Sequence, residues 1–259
     1  MSKYINIKIF DLYKLIVYKF TFIIILIIIY DLSLNNPREE KKVYYNNCFL
    51  SPENSNKKII HIIITRFMIE FYKEDGFVKK IYTKEYIENG IRVMKKYLFP
   101  SLEYQRCKDF IWMLNVGDKA NITLLKSLLN FKKSFKSIII YNKEQKNYIK
   151  SICKNADVLI TTRIDYDDRI YYDAVNDVRK AVNISKPIFL YGYDRGYIYY
   201  EELDIYTKFI FKKKLYDGTM SVFESLIIFT KKINDYYTIY SLGDHRFVRK
   251  KLPHYYYTL

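Results

Sequence analysis

Four short runs of apolar, mostly β-branched residues alternate with three stretches of helical periodicity in the first two thirds of the chain. The predicted strands are 57–65, 110–116, 135–141 and 156–160, and the predicted helices between them are 83–97, 122–131 and 144–153. Such alternation is typical of βαβ units, whose strands lie parallel in one sheet. Right-handed crossovers then bring the carboxyl ends of the strands to one edge. We therefore predict an α/β fold with a mostly parallel, Rossmann-type sheet.

The pattern changes after residue 168. A helix is predicted over 171–182, followed by short strands over 187–192, 196–201 and 206–212. The first two of these strands are separated by three residues and are predicted to form a hairpin. Residues 221–229 fit either a helix or a strand, so the second half of the domain is predicted to be mixed.

Three carboxylates follow the fourth predicted strand within four residues, at Asp165, Asp167 and Asp168. Open α/β sheets bind ligands at the carboxyl ends of their strands. Asp165 and Asp167 are one residue apart and can face the same side, where their oxygens suit Mg²⁺ or Mn²⁺ shared with a substrate diphosphate. The alternative is a solvated turn followed by a helix N-cap, since aspartate is favoured in both positions.

Lysine and arginine outnumber aspartate and glutamate by 44 to 28, which gives a formal charge of +16. Such an excess attracts phosphate, whether in nucleic acid, in lipid headgroups or in a nucleotide-activated substrate. The basic residues are dispersed and no known nucleic-acid-binding motif is present, so nucleic acid is not the expected partner. The patterns of zincins, serine hydrolases and P-loop proteins are also absent.

The three cysteines are Cys48, Cys107 and Cys153, and they are widely spaced and odd in number. Neither a zinc site nor a disulfide framework is indicated by this spacing. They are therefore predicted to be ordinary small hydrophobic residues.

The N-terminal segment contains an uncharged run, 20–30, preceded by a lysine-rich flank. We predict a single-pass membrane anchor over 1–34, a linker over 35–56 and a globular domain over 57–259. A cleaved signal peptide and a core element are the alternatives for the apolar run. The basic flank favours a cytoplasmic N-terminus, although Lys41 and Lys42 on the other side weaken that preference.

Several short motifs resemble those of the rhamnosyltransferase family and occur in the same order as in that family. The family belongs with the glycosyltransferases of GT-A-like fold. The matching pieces are His61-Ile-Ile-Ile-Thr-Arg-Phe67, Arg92, Phe99-Pro-Ser-Leu102, Gln105, Asp109-Phe-Ile-Trp112 and Thr162-Arg-Ile-Asp-Tyr-Asp-Asp168. The resemblance covers about residues 59–200, with a weaker match near Gly243-Asp244-His245. Tyr166 departs from the family, which often has asparagine there.

The resemblance implies that Asp165 and Asp167 form the DxD element that holds a divalent cation, Mn²⁺ or Mg²⁺, against the diphosphate of the donor. It suggests His245 as a further metal ligand, because GT-A enzymes often place a C-terminal histidine or acid on the metal. Asp168 ranks below the other two aspartates, since it could instead cap the following helix.

Three further positions are candidates for donor binding: Arg66, Arg163 and Asp118. The two arginines follow predicted strands and could make charge-assisted contacts with phosphate, the alternative being structural ion pairs. An inverting enzyme needs a carboxylate base for the acceptor hydroxyl, and Asp194, Asp217 and Glu224 are equal candidates.

These observations predict a metal-dependent glycosyltransferase that moves a sugar from a nucleotide-sugar donor to a glycan or lipid-linked acceptor at a membrane. Rhamnose as the sugar rests on the family name alone. A catalytically silent scaffold attached to the membrane and a basic nucleic-acid-binding protein are the competing hypotheses.

Overall fold

The computed structural model of the chain describes nine stretches and one isolated residue of the 259. They are Cys48 and residues 56–69, 81–130, 135–182, 188–193, 195–200, 202–210, 224–230, 238–242 and 256–258. All of them belong to the unit Tyr45–Leu259.

Seven strands in these stretches form one sheet in the order β3-β2-β1-β4-β8-β5-β9. In chain order the strands are β1 Ile59–Phe67, β2 Ile111–Val116, β3 Lys136–Tyr141, β4 Val158–Arg163, β5 Ile188–Gly192, β6 Arg195–Tyr200, β7 Ile205–Ile210, β8 Glu224–Phe229 and β9 Tyr256–Thr258. Strand β8 is antiparallel to both of its neighbours, whereas every other pairing in this sheet is parallel. The predicted mostly parallel α/β sheet with a mixed second half is confirmed.

Strand β1 lies in the middle of the sheet because it is apolar on both faces. Parallel strands covered on both sides read as continuous β-branched runs, and β1 has the sequence IIHIIITRF with nearly every residue buried. It pairs with β2 on one side and with β4 on the other. The last β1–β4 pair is Ile64 with Arg163, so Arg66 extends two residues further along β1, level with the start of the acidic segment.

The helices are α1 Lys84–Val93, α2 Phe99–Glu103, α3 Ile122–Leu129, α4 Gln145–Cys153 and α5 Ala174–Lys180. The side chain of Thr83 caps α1 and that of Asn121 caps α3, each by accepting a backbone N–H bond. The first predicted helix, 83–97, ends too early. Helix α1 continues through a π-helical turn, Met94–Leu98, directly into α2, and this wider turn precedes the proline that lacks an N–H donor.

The predicted hairpin between 187–192 and 196–201 is also wrong. Strand β5 pairs with β8 and β9 in the main sheet, whereas β6 pairs with β7 in a separate two-stranded sheet. The reason is tertiary: 224–229 forms a strand, and its buried apolar residues insert between β4 and β5. A partner this far along the chain gives no local signal.

The interpretation of the cysteines needs one correction. Cys48 and Cys107 form a disulfide across 59 positions of sequence, which the spacing did not indicate. Cys153 fits the prediction, because its thiol is fully buried and burial raises the pKa of that thiol to about 12. The disulfide attaches the segment that precedes β1 to the connection between α2 and β2.

The predicted anchor, 1–34, and most of the predicted linker lie outside the described residues, so the domain boundaries stay a prediction. Within the stretches given above, the helices are all too short or too polar to cross a membrane.

Candidate functional site

The acidic segment begins where β4 ends, as the sequence predicts. The N–H of Ile164 still donates to the carbonyl of Ile64 on β1, at 3.1 Å, and the chain then turns, with the N–H of Asp168 donating to the carbonyl of Asp165 at 3.2 Å. Asp165, Asp167 and Asp168 therefore share one turn at the carboxyl edge of the sheet. Asp167 is exposed, and the Asp165 side chain keeps 42% of its surface accessible.

The three carboxylates act on one another electrostatically. Burial, with the charges of Asp165 and Asp167, raises the pKa of Asp168 to about 7. The pKa of Asp167 is also raised, first by partial desolvation of its carboxyl group within the turn, although the residue as a whole is exposed, and then by the charge of Asp165. Oxygen donors with crowded negative charge suit a hard divalent cation, so the donor set fits Mg²⁺ or Mn²⁺. In the described part of the chain, however, no three acidic, histidine or cysteine side chains surround one point, so further ligands would be needed.

Arg163, the last residue of β4, is paired with the first of these aspartates. Its Nη2 lies 2.9 Å from Oδ2 and 3.3 Å from Oδ1 of Asp165. The Arg163 side chain is only 11% exposed, and burial lowers its pKa while the bond to Asp165 raises it, with a net rise. The predicted phosphate-binding arginine and the predicted metal ligand are thus in direct contact.

Arg66 lies at the same edge, and a tyrosine from near the C-terminus joins it to Arg163. The Arg66 guanidinium carbon is 3.8 Å from the centre of the Tyr240 ring, and that of Arg163 is 5.6 Å from it. The Tyr240 hydroxyl donates to the carbonyl of Ile64 at 3.3 Å. Sequence reasoning missed Tyr240, because it contacts β1 across 176 positions and stands among 29 tyrosines.

Glu224 is the candidate base that the structure places near this edge. It begins β8, opposite Arg163 on one side and Gly192 on the other, and it is 1% exposed. Its charge contributes to raising the pKa of Arg163. The other two candidates for the base, Asp194 and Asp217, and the predicted metal ligand His245 lie outside the described residues.

Asp118 follows β2 at the same edge of the sheet, and there it is ion-paired with Lys143 at 3.8 Å. Both side chains are at least half exposed, so the pair contributes little stability. The structure does not join Asp118 to the acidic segment.

Tyr166 is a packing residue between two of the carboxylates. Its ring lies edge-on to Phe67, with the centres 5.4 Å apart, and it packs against the main hydrophobic core. This explains why a tyrosine is tolerated between Asp165 and Asp167, because the middle residue serves the core.

Two other residues of the sequence motifs hold the chain that follows the acidic segment. Gln105 is fully buried; its amide nitrogen donates to the carbonyls of Ser101 and Tyr171, and its oxygen accepts from the N–H of Val175. The second motif residue is Asp109, whose carboxylate and backbone carbonyl both accept hydrogen bonds from the buried Arg179 on α5. These motif residues therefore fix α5, and the loop before it, against the rest of the domain.

With this geometry in place, comparisons with known proteins give one family. Residues 65–241 match the family model described as "Putative rhamnosyl transferase". No curated protein matches the sequence.

Two solved structures share a weak likeness with the chain. One is 4-diphosphocytidyl-2C-methyl-D-erythritol synthase from Anaerococcus prevotii, with 11% identity, a TM-score of 0.37, and 78% of this chain and 86% of that chain covered. The other is the inositol-1-phosphate CTP transferase from T. maritima, with 10% identity, a TM-score of 0.31 and the same two coverages.

Proposed function

We propose that this chain, which belongs to the family described as "Putative rhamnosyl transferase", is a metal-dependent glycosyltransferase of GT-A-like fold. It would move a sugar from a nucleotide-sugar donor to a glycan or lipid-linked acceptor, and the family description names rhamnose as that sugar. The observation that carries the proposal is the meeting of acids and arginines at one edge of the sheet. Asp165, Asp167, Arg163 and Arg66 together offer both cation ligands and phosphate ligands.

The two aspartates would hold Mn²⁺ or Mg²⁺, which neutralises the negative charge that develops on the departing nucleoside diphosphate. Arg66 and Arg163 would bind the phosphate oxygens through charge-assisted hydrogen bonds and orient the diphosphate. The Asp165 side chain keeps 42% of its surface accessible and that of Arg163 only 11%. A cation would therefore reach Asp165 directly, and the diphosphate would bind Arg163 at the same edge.

The proposal includes His245 as a third metal ligand. His245 follows Tyr240 by five residues in the sequence. Tyr240 itself touches Arg66, which supports a role for His245 beside Asp165 and Asp167.

The position of Glu224 favours a role in holding Arg163 in place over the role of catalytic base. A buried carboxylate opposite Arg163 is well placed to fix that guanidinium, and it is poorly placed to meet an acceptor hydroxyl arriving from solvent. Proton removal from the acceptor is then assigned to Asp194 or Asp217.

We also propose that the domain is attached to a membrane by 1–34 and works on its oxidising side. The disulfide between Cys48 and Cys107 supports this side, since disulfides persist in secretory and extracellular compartments. The acceptor would then be a glycan or glycolipid of that compartment.

The test is metal-dependent binding and turnover with the full chain. Binding of uridine, guanosine, thymidine and cytidine diphosphates is measured by calorimetry with Mn²⁺ or Mg²⁺, and hydrolysis of the matching nucleotide sugars is measured beside it. The Asp165→Asn, Asp167→Asn double variant should lose at least about 100-fold of the metal-dependent affinity. The matched control is Glu85→Asn, Glu88→Asn on the surface of α1, which should behave as the wild type.

If the wild type neither binds a nucleoside diphosphate nor hydrolyses a nucleotide sugar, the proposal fails. The acidic segment is then a solvated turn, and the scaffold and nucleic-acid hypotheses take precedence. Binding that survives in the double aspartate variant would refute the assignment of the metal ligands.

A further inference from the structure

Three distant parts of the chain meet at the carbonyl of Ile64 on β1. It accepts the N–H of Ile164, which leads into the acidic segment, and the hydroxyl of Tyr240. The neighbouring N–H of Ile239 donates to the hydroxyl of Thr161 on β4 at 2.9 Å. The short 3₁₀ helix Ile239–Leu242 is thus tied to both central strands beside the candidate site.

The Tyr240 ring lies close to two like charges. Arg66 stacks on it at 3.8 Å, and Arg163 is within 5.6 Å of its centre. The pKa of Arg66 is lowered first by burial and further by the like charge of Arg163, which shows that the two guanidinium groups repel each other. The negative face of an aromatic ring attracts a cation, so Tyr240 offsets part of this repulsion and keeps both groups in place.

We infer that Tyr240 is a positioning residue for the donor diphosphate. It holds Arg66 stacked beside Arg163, so that the two guanidinium groups present their N–H donors to the phosphates together. This inference rests on the proposed function. It adds to that proposal a C-terminal residue that acts through Arg66 and Arg163 and does not itself touch the reacting atoms.

The alternative role for Tyr240 is packing, because its ring also contacts two smaller hydrophobic clusters. The two roles predict different results. A packing residue contributes to the stability of the fold and leaves the affinity of the folded protein for phosphate unchanged. A positioning residue changes that affinity and the KM for the donor more than kcat, because an arginine lost from its place weakens donor binding first.

Two substitutions distinguish the contribution of the Tyr240 ring from that of its hydroxyl. Tyr240→Phe keeps the stacking surface, and the Ile64 carbonyl keeps the Ile164 N–H. Tyr240→Leu keeps an apolar side chain and removes the aromatic face. Tyr197→Leu, at a 64% exposed tyrosine on β6, is the matched control.

The probes are inorganic pyrophosphate without divalent cation and the nucleoside diphosphate that the wild type binds with it, both titrated into the full chain by calorimetry. We expect Tyr240→Leu to weaken the binding of both probes by about tenfold or more, because it loses a desolvated cation–π contact. Donor KM should rise by a similar factor, with kcat changed less than about threefold. Tyr240→Phe keeps the ring and loses the hydrogen bond between the hydroxyl and Arg66, so it should weaken binding less than Tyr240→Leu does. Tyr197→Leu should match the wild type.

Tight binding by the wild type with unchanged binding by Tyr240→Leu would overturn this inference and leave the proposed function standing. A lowered melting temperature of Tyr240→Leu without a change in affinity would do the same, since it indicates packing alone. A wild type that binds neither probe overturns the proposed function, and the inference with it.

Discussion

Breaking the disulfide between Cys48 and Cys107 should lower the free energy of unfolding of this domain by roughly 4 kcal/mol. The two cysteines are 59 positions apart, so the bond closes a loop of about 60 residues. Loop-closure entropy for that length is about 14 cal/mol/K, which at 25 °C gives the figure above. Cys107 is fully buried and Cys48 packs against the main core, so the folded state already holds both ends together.

The assay is urea unfolding followed by the fluorescence of Trp112, which is the single tryptophan and is fully buried in β2. With an m-value of about 2 kcal/mol/M, the loss corresponds to a midpoint lowered by about 2 M. The oxidised wild type should show one reactive thiol after denaturation, that of Cys153, and three after reduction.

Two variants control for the chemistry of the reductant. Cys48→Ser should match the reduced wild type in midpoint and should not respond to reductant. Cys153→Ala retains the disulfide and should therefore keep the full response. The reasoning is refuted if oxidised wild type and Cys48→Ser unfold within about 1 kcal/mol of each other, or if denatured oxidised protein exposes three thiols.

Two further predictions concern buried polar groups. Burial, aided by the charge of Arg179, lowers the pKa of His61 to about 3 from an ordinary 6.5. The folded state therefore resists protonation, and the stability present above pH 6.5 should fall by up to roughly 5 kcal/mol as the pH drops towards 3. Urea titrations at a series of pH values should show a shallower decline for His61→Gln, and equal declines would contradict this assignment. Replacing Gln105 by leucine removes three hydrogen bonds to backbone groups. This should lower the free energy of unfolding by about 3 kcal/mol or more in the same assay. A decrease of less than about 1 kcal/mol would show that these groups find other partners.

The parallel half of the fold could be predicted because its signals are local. Runs such as 59–67 are apolar without interruption, and the helices between them carry caps and a periodic apolar face. The position of the acidic segment follows from the same logic, since it comes directly after a buried strand. The predicted bounds of the first four strands therefore differ from the observed ones by at most three residues, and Arg66, Arg163 and the three aspartates lie at the carboxyl edge.

Apart from the end of the first predicted helix, the errors involve partners that are distant in sequence. The hairpin assigned to β5 and β6 failed because β8 competes for β5, and the disulfide joins residues whose spacing carries no pattern. Tyr240 could not be identified from the sequence for the same reason. Its role depends on contacts with β1 and β4, and neither its type nor its neighbours in the sequence distinguish it.

The antiparallel strand explains why the site can combine residues from both halves of the chain. In a wholly parallel sheet this edge would collect only the carboxyl ends of strands, where Arg66 and Arg163 lie. Because β8 runs in the opposite direction, its first residue lies at that same edge, and Glu224 comes to lie opposite Arg163. Glu224 follows Arg163 by 61 positions in the sequence (224 − 163), and the two residues are thus brought together at the end of β4. The reversal of one strand is what allows the mixed second half of the domain to contribute charge to a site built on the parallel first half.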